Sequence, residues 1–314
     1  MNKKIKNIIL FTGLVTITLH MINKIIYSLS TVKSVLNSSD NQYFEWRFGK
    51  IKYTKKGSGT PILLLHDLTV GSSSYEYQKI ISNLSKNHEI YTLDLLGYGL
   101  SDKINMTYTN YLYVQLVHEF IKTIIGRKTD IFATGYAVPI AIMTSHNDPD
   151  LIHHICLINP ESLTELNKIP SKQSKLLKFI IDTPILGTFV FNCLTTKKTF
   201  QKQFQDKLFF DSKQLEVSDV LSYWEGSHTP NALSKFSYSS FLGKYMNVNM
   251  IHALKEINHS IYLILGKEKE DQDKIIEQYK SCNSSIEVFH VLNSKHLPHL
   301  ENPNDFLEII KIII

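Results

Sequence analysis

Pro61-Ile62-Leu63-Leu64-Leu65-His66-Asp67 and, after an intervening segment, Ile90-Tyr91-Thr92-Leu93-Asp94-Leu95-Leu96-Gly97-Tyr98-Gly99-Leu100-Ser101-Asp102 decide the fold. The first is a continuous apolar run of strand length, as expected for a strand buried on both faces of a parallel sheet. Between the two, Ser72 to Leu84 carries apolar residues at Tyr75, Ile80, Ile81 and Leu84, which suits a crossover helix. The unit is therefore βαβ. Gly97 and Gly99 allow a tight loop after the second strand, and Asp94 is placed to hold it by accepting backbone N–H groups.

Outward from this unit the pattern continues. Phe44 to Lys55 alternates polar and apolar residues around Gly49-Lys50, as a β-hairpin does. Thr109 to Ile125 has helical spacing and stops at Gly126; strands follow at Asp130–Gly135 and His154–Asn159, with a helix at Val138–Asn147 between them. From Ser162 to about Asn258 the strand pattern gives way to Lys- and Ser-rich helical sequence with clustered Phe and Tyr. Ile261–Gly266 and Ser285–Val291 restore the sheet, with helices at Lys274–Tyr279 and Phe306–Ile314.

His66 after the third strand, D-x-x-G-x-G-x-S from Asp94 to Ser101, and Asn293-Ser294-Lys295-His296-Leu297-Pro298-His299-Leu300-Glu301-Asn302-Pro303 together resemble the α/β-hydrolase family, from about Tyr43 to the C-terminus. The resemblance implies an α/β-hydrolase fold: a mostly parallel central sheet, helices on both faces, and a helical cap inserted between strands six and seven. On that basis the chain divides into residues 1–28, a membrane anchor or signal segment; 29–41, a tether; and 42–314, the α/β-hydrolase domain, with its cap at about 162–258.

With 314 residues and 43% hydrophobic content, the chain is long enough for one sizeable core. The formal net charge of +5 comes from scattered lysines with no dense basic block, so the charge indicates solvated faces and no nucleic-acid partner. Cys156, Cys193 and Cys282 are widely spaced, without a C-x-x-C pair. His153, His154 and Cys156 share a strand and are expected to alternate between its faces, which argues against a shared metal site. Neither a phosphate loop nor a nucleotide fingerprint is present, so no cofactor is implied.

Lys3, Lys4 and Lys6 precede the apolar stretch Ile8–Ile22. Alone it falls short of the about 20 residues of a bilayer span, but it reaches that length through Ile25, Ile26 and Tyr27 if Lys24 snorkels. The expectation is a single-pass anchor with the domain outside the cytoplasm. The alternatives are a signal peptide cut near Ser28-Leu29-Ser30, giving a secreted protein, or a soluble helix that would need an apolar partner.

The family's nucleophile sits on a G-x-S-x-G turn after strand five. Aligned to Gly135-Tyr136-Ala137-Val138-Pro139, this sequence has Ala137 at that position; shifted by two, Ala133-Thr134-Gly135-Tyr136-Ala137 has glycine there. Neither supplies an oxygen or sulfur lone pair. Without a nucleophile the strained turn has no use, so a relaxed backbone with negative φ is expected at Ala137. His296 matches the triad histidine, the general base; His299 reads as a surface residue. The acid position of G-x-x-D after strand seven holds Lys269, which leaves Glu270, one residue late, and Glu161 after strand six as candidate acids. Leu68 and Val138 N–H groups are the oxyanion donors the resemblance implies. Asp67 replaces the usual glycine after His66, and a carboxylate there would oppose a developing oxyanion.

Three functional readings follow. The first is a membrane-tethered protein without ordinary serine-hydrolase activity that binds an apolar small molecule, an acyl compound or a partner. The second is an active esterase-like hydrolase using His296 with a non-standard nucleophile or an activated water. The third is a structural component lacking a pocket.

Overall fold

The structure, a computed structural model, describes residues 2–229 and 233–314. Residue 1 of the expected anchor and residues 230–232 of the expected cap lie outside the described residues. One eight-stranded sheet has the order β1-β2-β4-β3-β5-β6-β7-β8. Its strands are β1 (Gln42–Trp46), β2 (Gly49–Lys56), β3 (Thr60–Leu65), β4 (His88–Leu93), β5 (Thr129–Thr134), β6 (Ile152–Ile158), β7 (Ser260–Gly266) and β8 (Glu287–Val291). The β1–β2 hairpin is antiparallel and β2 joins β4 antiparallel; every other pairing is parallel. The central strands are apolar on both sides because both faces are covered: Ile62 through Leu65 are fully buried.

The helices are α1 (Lys3–Ser30), α2 (Gln78–Leu84), α3 (Asn110–Phe120), α4 (Val138–Asn147), α5 (Leu163–Leu166), α6 (Lys172–Asp182), α7 (Leu186–Leu194), α8 (Lys197–Gln203), α9 (Val217–His228), α10 (Ser234–Leu242), α11 (Ile251–Glu256), α12 (Gln272–Cys282), α13 (Pro298–Glu301) and α14 (Pro303–Ile313). Helix α3 begins at Thr109, whose hydroxyl accepts from Leu112 N–H, and ends past a wide turn at Gly126, which takes φ +68°. Helices α5 to α11 form the insertion between β6 and β7. One core cluster, including Leu63, Ile131 and Leu263, lies on one sheet face; a second, with Ile62, Phe132 and Phe306, lies on the other. A third, around Phe204, Phe209 and Tyr223, joins the insertion to Leu297 and Leu300.

Helix α1 is long and apolar enough to cross a membrane. Its last turns pack on the insertion: Asn192 Nδ2 donates to Asn23 Oδ1 (2.8 Å), and Asn23 Nδ2 donates to the Ile185 carbonyl (3.3 Å). In the following segment, Val35 and Leu36 donate N–H to Glu225 Oε2 at 2.6 and 3.4 Å.

Candidate active site

The site lies at the carboxyl ends of β3, β5 and β8, and two loops hold its floor in place. After β4, Asp94 accepts from Ser74 N–H (2.8 Å) through Oδ1 and from Leu100 N–H (2.9 Å) through Oδ2. Gly99, at φ +46°, passes so close that a Cβ would lie 2.2 Å from Asp94 Oδ2, which explains the glycine. After β3, His66 Nε2 accepts from Leu95 N–H (3.0 Å), so the ring proton sits on Nδ1 and is donated to the Asp67 carbonyl at 2.6 Å. Burial lowers the His66 pKa and keeps the ring neutral.

The sharp turn after β5 falls at Gly135, with φ +56°, and not at Ala137, whose φ of −81° belongs to the turn leading into α4. Of the two sequence alignments, Ala133-Thr134-Gly135-Tyr136-Ala137 is the one the backbone adopts. The strand ends at Thr134 and the chain reverses at the next residue. The Ala137 assignment is thereby corrected to Gly135. The Val138 assignment changes with it, because Val138 N–H is spent on the Gly135 carbonyl. The N–H after the turn residue is that of Tyr136.

Asp67 fills the space over Gly135. A Cβ built on Gly135 would lie 2.6 Å from each of the Asp67 carboxyl carbon and oxygens, so the missing side chain makes room for this carboxylate. Asp67 Oδ1 accepts from Leu68 N–H (2.7 Å) and Tyr136 N–H (2.8 Å). Asp67 Oδ2 lies 2.9 Å from His296 Nε2. The residue is almost fully buried. One oxygen therefore sits on the amides of Leu68 and Tyr136, and the other faces the imidazole.

Behind Asp67 lies Glu76, whose Oε2 accepts Asp67 N–H (3.2 Å) and whose Oε1 accepts from the Tyr223 hydroxyl (2.7 Å). Burial, reinforced by the negative charge of Asp67, pushes the Glu76 carboxyl up to about 8, so at neutral pH it is mostly protonated.

His296 is held by its main chain. Its N–H donates to the Leu208 carbonyl (2.9 Å), and Asn159 Nδ2 donates to the carbonyls of Lys295 (2.7 Å) and His296 (2.9 Å). Glu301 accepts from Lys295 N–H (2.9 Å), Phe210 N–H (2.6 Å) and Asp211 N–H (2.8 Å), clamping the β8–α13 loop to the insertion. Among the described residues, Asp67 is the one carboxylate within ion-pair distance of the ring. Glu161 instead lies 4.0 Å from Lys269 Nζ, and Glu270 projects into solvent 3.9 Å from Lys295 Nζ, so neither candidate acid reaches His296. Lys269 turns inward and donates to the carbonyls of Asn159 (3.0 Å) and Pro160 (2.8 Å); burial lowers its pKa.

Two further expectations change. His299 is fully buried, stacked on Tyr77 at 4.5 Å between ring centroids, because the whole of α13 is packed inside. His153 and His154, at the opposite end of the sheet, do not diverge: their Nδ1 atoms lie 3.3 and 2.9 Å from Asp130 Oδ1. The register between β5 and β6 shifts here, setting His153 and His154 together opposite Asp130, and these three donors lie close enough to share a cation, whereas Cys156 stands apart.

A cavity of ≈ 590 Å³ opens above Asp67 and His296, walled by Tyr136, Leu208, Tyr238 and Phe241. The sequence matches the profile of the alpha/beta hydrolase family over residues 62–309. The chain belongs to that family.

Among curated relatives of this family member, a proline iminopeptidase of Heyndrickxia coagulans is 24% identical over 272 residues, 82% of this chain and 92% of that protein. A 2-hydroxy-6-oxo-6-(2'-aminophenyl)hexa-2,4-dienoic acid hydrolase of Metapseudomonas resinovorans is 27% identical over 100 residues, 30% of this chain and only 34% of that protein's length. Among solved structures, a serine hydrolase involved in carbazole degradation superposes with TM-score 0.71 at 14% identity, covering 87% of this chain and 97% of that one. A membrane phospholipase A superposes with TM-score 0.67 at 18% identity, covering 99% and 97%. At these identities the structural likeness concerns the fold alone.

The sequence did not foretell the aim of Asp67 or the supporting roles of Asn159, Glu76 and Glu301. The one available signal for Asp67 was the unusual carboxylate beside His66, paired with a glycine at the turn.

Proposed function

We propose that this protein is a membrane-anchored member of the family that no longer performs serine-type hydrolysis and uses the cavity to bind an apolar or acyl-bearing ligand. The observation that carries this reading is the Asp67 carboxylate seated on Leu68 and Tyr136 N–H and facing His296 Nε2. A substrate carbonyl needs those amides for its developing charge, and there it would meet the Asp67 carboxyl group already accepting from both. Loss of the nucleophile in triad hydrolases costs on the order of a millionfold in turnover, about 8 kcal/mol of barrier. The lysine at the acid position works in the same direction, since Lys269 donates to the carbonyls of Asn159 and Pro160 and supplies no carboxylate to orient His296. The cavity weighs against a purely structural component. The test is reaction of the purified full chain with a fluorophosphonate probe and with short acyl esters. Neither covalent labelling nor turnover above that of His296→Ala is expected; His296-dependent labelling overturns the reading.

A second reading rests on Asp67 Oδ2. With Oδ1 pinned by two amides, Oδ2 can act as a nucleophile toward an alkyl carbon bearing a leaving group, forming an ester on Asp67 and releasing that group. Water deprotonated by His296 would then attack the ester carbonyl carbon, regenerate the carboxylate and release the alcohol. Single turnover in ¹⁸O-labelled water would leave the label in the peptide bearing Asp67; its absence during measured turnover rejects this route.

A further inference from the structure

Helix α6 turns Lys178 and Ile181 inward and leaves four apolar side chains exposed. Leu176 (59% exposed), Leu177 (40%), Phe179 (67%) and Ile180 (40%) face outward, while Lys178 is buried and ion-pairs with Asp182 at 2.5 Å. A helix that shows apolar side chains to solvent and packs its lysine inward is placed for an apolar surrounding. The apolar face continues through Ile169, which precedes α6, and Leu186, at the start of α7. The corner between α6 and α7 bends by 106° and places Ile185, a β-branched residue, at φ +56°, a conformation the surroundings must enforce. Two of those constraints are visible: Lys235 Nζ donates to the carbonyls of Asp182 (3.3 Å) and Thr183 (2.8 Å), and Asn23 of α1 donates to the Ile185 carbonyl.

That last bond sets the height of the corner along α1. Helix α1 has no buried residue from Ile5 to Ile22 and is first buried at Asn23, with Ile25 and Leu29 exposed beyond it; at 1.5 Å per residue, Ile5 to Ile22 measures about 27 Å, close to the about 30 Å of bilayer hydrocarbon. The corner therefore lies where the span would leave the hydrocarbon. Lys172 and Lys175 on α6, and Lys197 and Lys198 at the start of α8, are exposed cations of the insertion.

We propose that the α6–α7 corner docks into the headgroup and upper acyl region of the bilayer that α1 spans, the occupant of the exposed face being lipid. Helix α6 packs on α10, which supplies Tyr238 and Phe241 to the cavity wall, so a bilayer-seated corner couples that wall to the lipid surface and makes a membrane amphiphile the ligand class that reaches it. The proposal rests on reading α1 as a membrane anchor.

The test uses the full chain with Cys193→Ser and Cys282→Ser, labelled with bimane at Phe179→Cys, at Leu10→Cys or at Glu308→Cys on α14. Each is reconstituted in phosphatidylcholine–phosphatidylglycerol vesicles with nitroxide-bearing lipid or with aqueous iodide. The expected result is that the Phe179 and Leu10 sites lose most of their fluorescence to nitroxide lipid and little to iodide, with the reverse at Glu308. Lipid quenching at Leu10 but iodide quenching at Phe179 overturns the docking and leaves the anchor standing. Iodide quenching at both removes the anchor and the docking together. Shielding of Phe179 from both quenchers means that protein covers the face, and overturns lipid as its occupant.

Discussion

Gly135 and Asp67 act as one unit, because the first lacks the atoms whose place the second occupies. Gly135→Ser alone should therefore fail to create a fluorophosphonate-reactive enzyme: its Cβ would meet the Asp67 carboxyl at 2.6 Å, and the oxyanion amides would remain taken. Gly135→Ser combined with Asp67→Gly and Lys269→Asp is expected to label, with labelling abolished by a further His296→Ala. In-gel fluorescence reads both, and strong labelling of Gly135→Ser alone would contradict the assignment. Glu76 offers a separate test through pH. Its folded-state pKa of about 8 lies above the usual value of 4.5, so the folded protein keeps a proton that the unfolded chain releases. Stability is then lost as pH rises from near 4.5 to 8, by about 5 kcal/mol at most. Glu76→Gln, neutral throughout, should show a flatter melting profile than the parent between pH 5 and pH 8. Parallel profiles would mean that the proton is not held there.

At the scale of elements, the loop carrying His296 depends on α13 and on the insertion. Glu301→Ala would leave the N–H groups of Lys295, Phe210 and Asp211 without their shared acceptor, and a loss of about 2–4 kcal/mol is expected in urea denaturation. A loss below about 1 kcal/mol would show that the clamp is replaceable. Both ring nitrogens of His299 on the same helix are buried and have no partner among the described residues, and burial pushes its pKa down to about 3. Below the unfolded value near 6.5 the unfolded chain takes up a proton that the folded one refuses, so stability falls as pH drops through that window. His299→Leu should raise the melting temperature more at pH 5 than at pH 8, and an equal shift at both would reject this account. The elements themselves were largely legible: apolar runs such as Ile62–Leu65 and Ile261–Leu265 can be satisfied only between two covering layers. The turn after β5 was not, because the residue that normally marks its register is absent and only the backbone shows where the chain reverses. Nor was the direction of the Asp67 side chain, which depends on the empty space over a glycine on another strand. His299 was misjudged because a loop-like sequence gives no sign that a four-residue helix will be sealed beneath neighbouring elements.

For the molecule as a whole, α1 carries its exposed apolar residues outside the core, with contact confined to its last turns near Asn23 and Ser30. Removing residues 2–22 should shift the protein from the membrane pellet to the supernatant and leave the melting temperature of the remainder within about 2 °C, since little packed surface is lost. A collapse in melting temperature would identify α1 as part of the folded body. The amino-terminal lysines and the apolar run made a helix long and apolar enough to cross a membrane legible in the sequence. The seating of Asn23 against Asn192 was not, because it pairs two amides far apart in the chain.

The carboxylate over Gly135 also closes a road backward. A serine at the turn would collide with the aspartate, and removing the aspartate alone would leave the Leu68 and Tyr136 amides facing an unfilled polar hollow. Each single exchange is thus opposed by the geometry around it, and the two positions are interlocked so that they can be changed only as a pair.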